Sequence, residues 1–171
     1  CWEKKGDLTR ALADYTKSIQ LDPAMPWVSE DRARLRYNNK DYAGAIEDYS
    51  RVIAQRLAKN EKSDYVLPGL YYRRGLARKN AEDYAGAAAD FTAAIDNPES
   101  KGVTISDMSI LDHAQYERGV VRQSQKDYDG AIGDFTQVIA RSPKDYEAYF
   151  SRGWTWARKP DYSRALADFT R

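Results

Sequence analysis

The sequence predicts an all-α fold, a solenoid in which antiparallel helix pairs stack one on another along the chain. Three observations lead to this prediction: a ten-residue pattern recurs, a small residue precedes it at a constant distance, and apolar residues follow its central alanine at helical spacing. The copies read DLTRALADYT at 7–16, DYAGAIEDYS at 41–50, DYAGAAADFT at 83–92, DYDGAIGDFT at 127–136 and DYSRALADFT at 161–170. An active site is seldom repeated in this way, whereas a scaffold must repeat its packing unit.

The spacing of the copies defines the unit. The central alanines lie 34, 42, 44 and 34 residues apart, at Ala11, Ala45, Ala87, Ala131 and Ala165. Twelve residues before each of the last four alanines stands a small residue, Ala33, Gly75, Gly119 or Gly153. An aromatic residue follows each alanine four positions later, at Tyr15, Tyr49, Phe91, Phe135 and Phe169. Offsets of three and four place side chains on one helix face, so the constant part predicts two helices joined by a short turn.

The three glycines predict close contact between the two helices of a pair. Glycine inside a helix costs about 1 kcal/mol relative to alanine, so three glycines at one register indicate that the backbones approach closely there. The second helix then supplies the alanine and the aromatic ring that fill the space between the helices.

A single solenoid is predicted over residues 1–171. Its units cover roughly 1–23 (partial), 24–59, 68–99, 112–145 and 146–171 (truncated), separated by longer links at 60–67 and 100–111. We expect these links to lengthen the flanking helices or to form protruding loops. The residues expected to cap second helices are Asp41, Asp83, Asp127 and Asp161. Pro23 and Pro143 stand at junctions between units, where a helix cannot continue.

The phase of the repeat makes a prediction about both ends of the chain. It places residues 1–5 in the last turn of a first helix and Arg171 before the end of a second helix. We therefore expect the chain to be a fragment of a longer array.

An arginine and an aspartate recur with the repeat. Each arginine precedes the small residue directly, and each aspartate follows the alanine by three positions, which separates the two by 16 residues. The predicted pairs are Arg32 with Asp48, Arg74 with Asp90, Arg118 with Asp134 and Arg152 with Asp168. We expect partly buried ion pairs that fix the register of the two helices, since arginine can bind a carboxylate in a bidentate manner. A row of arginines that binds anions is the alternative.

Composition argues against several classes of function. The chain has 27 Lys and Arg against 26 Asp and Glu, so no overall charge favours nucleic acid or an anionic membrane, and no apolar run is long enough to span a bilayer. Cys1 and His113 are the single cysteine and histidine, and neither stands in a catalytic or metal-binding motif. We predict no enzymatic activity and no cofactor. The lack of disulfides fits the cytosol, but the compartment stays open.

The 34-residue spacing, the small residue in the first helix, the alanine and aromatic in the second and the trailing proline together resemble the tetratricopeptide repeat over essentially the whole chain. The sequence departs from the family's pattern where a tryptophan is usual: Ser29, Tyr71, Gln115 and Tyr149 stand there. The resemblance implies a right-handed superhelix whose concave wall is lined by the first helix of each unit. It also implies that protein or peptide partners bind that wall.

Counting from the small residue of each first helix gives the positions that the resemblance places on the concave wall. The candidate binding residues are Arg34, Tyr37, Asn38, Tyr72, Arg73, Lys79, Asn80, Tyr116, Glu117, Phe150, Trp154 and Arg158. Rings bury large areas and arginine fixes direction, which suits a peptide groove. The alternative is that some of these rings only pack between units. The lysine, asparagine and arginine positions with which one subfamily clamps a chaperone's C-terminal carboxylate are not matched here.

Three hypotheses for function remain. The first is a protein-interaction scaffold that binds a peptide or partner helix in its concave groove. The second is a self-association module, and the third is a regulatory appendage of an enzyme outside this segment.

Overall fold

The computed structural model describes residues 7–59, 65–97, 104–105 and 108–171. Helices in these ranges are α1 (Leu8–Leu21), α2 (Pro26–Asn38), α3 (Tyr42–Lys59), α4 (Leu67–Asn80), α5 (Tyr84–Asp96), α6 (Ile110–Ser124), α7 (Tyr128–Arg141), α8 (Tyr146–Arg158) and α9 (Tyr162–Phe169). A short antiparallel hairpin of β1 (Thr104–Ile105) and β2 (Met108–Ser109) precedes α6. The predicted helical turn at residues 1–5 lies outside the described residues.

The helices form a solenoid of antiparallel pairs. Each helix packs mainly against the next one in sequence, and the first helices of successive pairs also touch, α4 with α6 and α6 with α8. The predicted all-α solenoid is therefore confirmed. In the described part of the chain, no helix is both long and apolar enough to cross a membrane.

Aspartates begin the second helices. The side chains of Asp83, Asp127 and Asp161 each accept a hydrogen bond from the backbone N–H three residues later, at 2.9 to 3.1 Å. Asp41 does the same for Gly44 at 3.0 Å. These bonds satisfy N–H groups that have no partner within the helix, so the repeated aspartate sets where each second helix starts.

The core of each pair is an aromatic ring under a small residue. Tyr49, Phe91 and Phe135 are 2%, 0% and 0% exposed. A Cβ added to Gly75 would lie 2.7 Å from Cε1 of Phe91, and one added to Gly119 would lie 2.8 Å from Cε1 of Phe135. Glycine is needed at these positions because the ring occupies the place of a side chain.

The structure describes the two longer links only in part. Before the first, α3 extends to Lys59 and has 18 residues against 13 in α5 and 14 in α7. The second contains the β1–β2 hairpin, whose last residue, Ser109, caps α6 by accepting a hydrogen bond from the Asp112 N–H at 3.2 Å. The sequence predicts a longer helix or a protruding loop there, not paired strands. Two-residue strands are too short to leave an alternating pattern in the sequence.

Candidate functional site

The repeated arginines and aspartates meet inside each helix pair. In all four pairs the arginine Nε donates to aspartate Oδ2 at 2.8 to 3.1 Å, and Nη2 donates to Oδ1 at 2.6 to 2.7 Å. The four aspartates are buried, with exposures of 0% to 8%. Hydrogen bonding to Asp48 raises the pKa of Arg32, and Asp168 raises that of Arg152 in the same way. The charge of each of these guanidinium groups is paired with a buried carboxylate, which leaves them poorly suited to bind anions from solution.

Each of these arginines also donates a hydrogen bond to a hydroxyl group of the preceding unit. Nη1 donates at 3.0 to 3.1 Å to a side chain on the second helix before it, namely Thr16, Ser50, Thr92 or Thr136. The arginine therefore joins two units as well as two helices. This contact was not predicted from the sequence, although a Ser or Thr directly follows the aromatic residue in every copy.

A second arginine binds the same carboxylate in three of the pairs. Arg36, Arg78 and Arg122 each place Nη1 2.7 to 3.0 Å from Oδ2 of Asp48, Asp90 and Asp134 respectively. In the last pair Trp156 stands at this register, and Arg164 replaces the glycine of Gly44, Gly86 and Gly130. The Arg164 guanidinium lies over the Trp156 ring at 4.6 Å. The sequence analysis did not single out these residues, although the second arginine lies a constant four positions after the first.

Half of the predicted binding residues on the first helices bond to the neighbouring unit. Arg73 pairs with Glu30, and Lys79 pairs with Glu117. Asn80 donates to the Tyr37 hydroxyl at 2.9 Å. The Tyr116 hydroxyl lies 3.0 Å from Oγ of Ser151. Two of these contacts pair opposite charges between neighbouring first helices, and the other two are hydrogen bonds between neutral side chains.

Several of the predicted rings also pack within the solenoid. Tyr72 lies 6.0 Å from Phe91 and 5.9 Å from His113, between ring centroids, and Tyr116 lies 5.5 Å from Phe135. Burial raises the pKa values of Tyr37, Tyr72 and Tyr116, so their hydroxyls stay protonated at neutral pH. The Nδ1–H group of His113 donates a hydrogen bond to the Ser109 carbonyl at 3.1 Å. Its contacts are those of a packing residue.

The inner side of α8 differs from the other first helices. Phe150 and Trp154 are 56% and 49% exposed, and Arg158 is exposed one turn after Trp154. The Arg158 guanidinium carbon lies 6.0 Å from the centroid of the Trp154 ring. On α2, Arg34 and Asn38 are also exposed. The predicted binding residues thus divide into a set that bridges units and a set, mostly on α8, that faces solvent.

Three cavities follow this wall. One of about 230 Å³ lies between α2 and α4 over the Tyr49 ring, and its lining includes Arg34, Tyr37, Asn38, Tyr72 and Arg73. One of about 560 Å³ lies beside α8 and is lined by Tyr116, Tyr146, Glu147, Tyr149, Phe150, Asp168, Phe169 and Arg171. One of about 420 Å³ lies between the ends of α6 and α8. In the ranges that the structure covers, no three His, Cys, Asp or Glu side chains gather to hold a metal ion.

The sequence matches a known protein family, and the fold is similar to those of several solved structures. The family model described as tetratricopeptide repeat matches residues 3–61 and 116–171, more than half of the chain. No curated protein sequence matches significantly. The crystal structure of MamA superposes with a TM-score of 0.82 at 21% identity, covering 98% of this chain and 88% of that one. YrrB, described as a TPR protein with an unusual peptide-binding site, gives 0.75 at 19%, covering 97% and 76%. MamA from Desulfovibrio magneticus RS-1 gives 0.78 at 17%, covering 98% and 84%.

Proposed function

Because the chain belongs to the tetratricopeptide repeat family, we propose that it is a protein-interaction scaffold whose concave groove binds a peptide or partner helix. Proteins of this family bind protein or peptide partners, and the similar YrrB is described as having a peptide-binding site. The observation that carries the proposal is the pair of half-exposed rings on the inner side of α8, Phe150 and Trp154.

Comparison of the repeat units supports this choice of site. Trp154 stands at the register of Arg34, Leu76 and Val120, so the ring is not part of the repeated scaffold. Its exposure means that the helix pair does not need the ring for its own core. A large ring held on a rigid helix loses little entropy on binding and buries much area, which is the character of an anchor residue.

Peptide selection tests the proposal without knowledge of the natural partner. Short random peptides displayed through their C-termini would be selected on the wild-type chain, and the dissociation constant of each selected peptide would then be measured. We expect the double variant Phe150→Ala, Trp154→Ala to bind these peptides at least about tenfold more weakly, which corresponds to about 1.4 kcal/mol.

The matched control is Tyr65→Ala, which removes a 60% exposed ring before α4 that lines none of the three cavities. It should leave the dissociation constant unchanged. A failure to select any peptide, or equal affinity of the double variant, would contradict the proposed function.

Self-association through α9 is the second candidate. Phe169 is 45% exposed, whereas its counterparts Phe91 and Phe135 are fully buried by the helix that follows each. Tyr162 and Leu166 on the same helix are 69% and 65% exposed. A second copy that covers α9 would make the sedimentation coefficient rise with concentration, and Leu166→Lys would abolish the rise. A monomer at every concentration argues against this candidate.

A further inference from the structure

The cavity between the ends of α6 and α8 has a distinctive lining. Gln123, Ser124, Lys126 and Tyr128 form one side, and Trp154 and Arg158 form the other. Its volume of about 420 Å³ is enough for a side chain and part of its backbone. The cavity therefore offers a ring and two cations at one place in the groove, whereas Gln123 and Ser124 already donate to groups within the protein.

The two cations differ from the others along the concave wall. Arg73 and Lys79 are neutralised by Glu30 and Glu117, and Lys159, on the turn after α8, is paired with Asp129. Lys126 and Arg158 have no carboxylate within ion-pair distance among the residues that the structure describes. Their charge is thus available to a ligand, whereas the charge of the paired residues is already used.

The earlier repeat units lack the combination of a tryptophan and an arginine at these registers. At the registers of Trp154 and Arg158, the preceding unit has Val120 and Ser124. Lys126 belongs to that same unit, and at its register the two units before it have Glu82 and Lys40. Because Trp154 and Arg158 have no counterpart of their kind at these registers in the earlier units, they are not required to build the solenoid.

We propose that this cavity receives a glutamate or aspartate side chain of the bound peptide, with a neighbouring apolar residue of the peptide lying on Trp154. The inference rests on the proposed function and adds the class of peptide, an acidic segment with an apolar neighbour. The Arg158 guanidinium presents a planar set of donors that matches a carboxylate, and Lys126 adds a second charge. The Trp154 ring shields one side of this contact from water, which strengthens charge-assisted hydrogen bonds.

The peptides selected on the wild-type chain supply the test. We expect them to be enriched in glutamate or aspartate next to an apolar residue, and we expect this enrichment to vanish when selection is repeated on Lys126→Gln, Arg158→Gln. Display through the C-terminus removes the free terminal carboxylate, so the enrichment reports side chains.

A double-mutant cycle then assigns the contact. A blocked synthetic peptide of the selected sequence should bind the wild type at least about tenfold more tightly than its glutamine counterpart. The two peptides should bind Arg158→Gln equally. Arg158→Lys should retain part of the discrimination, and Lys144→Gln, which removes an exposed charge outside the cavity, should retain all of it.

The outcomes separate this inference from the proposed function. Selected peptides that depend on Trp154 but show no acidic enrichment would overturn the acidic-peptide inference and leave the groove intact. Peptides that bind Arg158 only when their terminal carboxylate is free would also overturn it. A selection that returns no peptide would overturn the proposed function, and this inference with it.

Discussion

At the scale of single residues, the buried carboxylates hold the solenoid together. Asp134 accepts two hydrogen bonds from Arg118, one from Arg122 and a longer one, at 3.4 Å, from Gln115. Charged groups removed from water must be paired, and loss of one partner leaves the other without compensation. Loss of the Asp134 carboxylate would therefore leave two arginines without a counter-charge, which should destabilise the fold more than loss of a single ion pair.

Asp134→Asn should destabilise the chain by about 3 to 5 kcal/mol, because two guanidinium groups would then share one neutral amide. Urea unfolding followed by circular dichroism measures the change. Asp129→Asn is the matched control, since Asp129 is 83% exposed and its pair with Lys159 should contribute less than about 1 kcal/mol. Equal effects of the two substitutions would show that the buried network is not important for stability.

The glycine under each ring makes a second prediction. Gly119→Ala should cost about 1 to 3 kcal/mol, since the added methyl group meets the Phe135 ring at 2.8 Å. Gly133→Ala should instead stabilise the chain by up to about 1 kcal/mol, because that glycine lies in α7 with open space around it. Thermal or urea unfolding of both variants checks the sign, and stabilisation by Gly119→Ala would contradict the close approach.

The buried Tyr49 hydroxyl should make the stability of the fold depend on pH in the alkaline range. Burial raises the pKa of Tyr49 to about 12 from an unfolded value of 10.0. The unfolded state therefore loses its proton first, so this group's contribution is fully present below pH 10 and falls as the pH rises toward 12. Between pH 9 and 11, Tyr49→Phe should lose about 1.3 kcal/mol less stability than the wild type. Parallel losses in urea unfolding of the two proteins would argue against a buried phenol.

At this scale, the pairs that can be predicted from the sequence are those within one repeat unit. The constant separation of 16 residues predicts contact between Arg32 and Asp48 because both helices of the pair are rigid. It does not reach Thr16, which lies in the preceding unit, because the offset between units depends on how the helices stack. The exposure of Trp154 likewise depends on its neighbours in space.

At the scale of elements, the helix starts are set by local chemistry and the links are not. The repeated aspartates identify the beginnings of α3, α5, α7 and α9 from sequence, since the capping bond needs only residues three apart. The hairpin before α6 has no comparable signal. Its strands hold two residues each, which is too few to leave an alternating pattern in the sequence.

The cap of α7 gives the prediction for this scale. Asp127→Ala should destabilise the chain by about 1 kcal/mol, because the Gly130 N–H loses its acceptor. Asp127→Asn keeps an acceptor at the same place and should cost only a few tenths of a kcal/mol. Urea unfolding distinguishes the two. If alanine and asparagine behave alike, the hydrogen bond does not set the helix start.

At the scale of the whole molecule, the first helices differ in how their polar groups are used. Over α2, α4 and α6, ion pairs and hydrogen bonds between units consume many of the inward side chains. On α8, Phe150, Trp154 and Arg158 face solvent. A repeat that copies its scaffold and varies its inner surface keeps stability and recognition on separate residues, and we propose that recognition lies at α8.

The proposal that Trp154 lies in the binding site is tested most directly by a nuclear magnetic resonance titration with a selected peptide, in which the indole N–H signal of Trp154 is followed. Trp156 is an internal reference, because it lies two residues along α8 and is covered by Arg164. The account predicts that the Trp154 signal shifts with peptide concentration and saturates with the measured dissociation constant, while the Trp156 signal stays in place. Saturable binding that leaves Trp154 unmoved would contradict it.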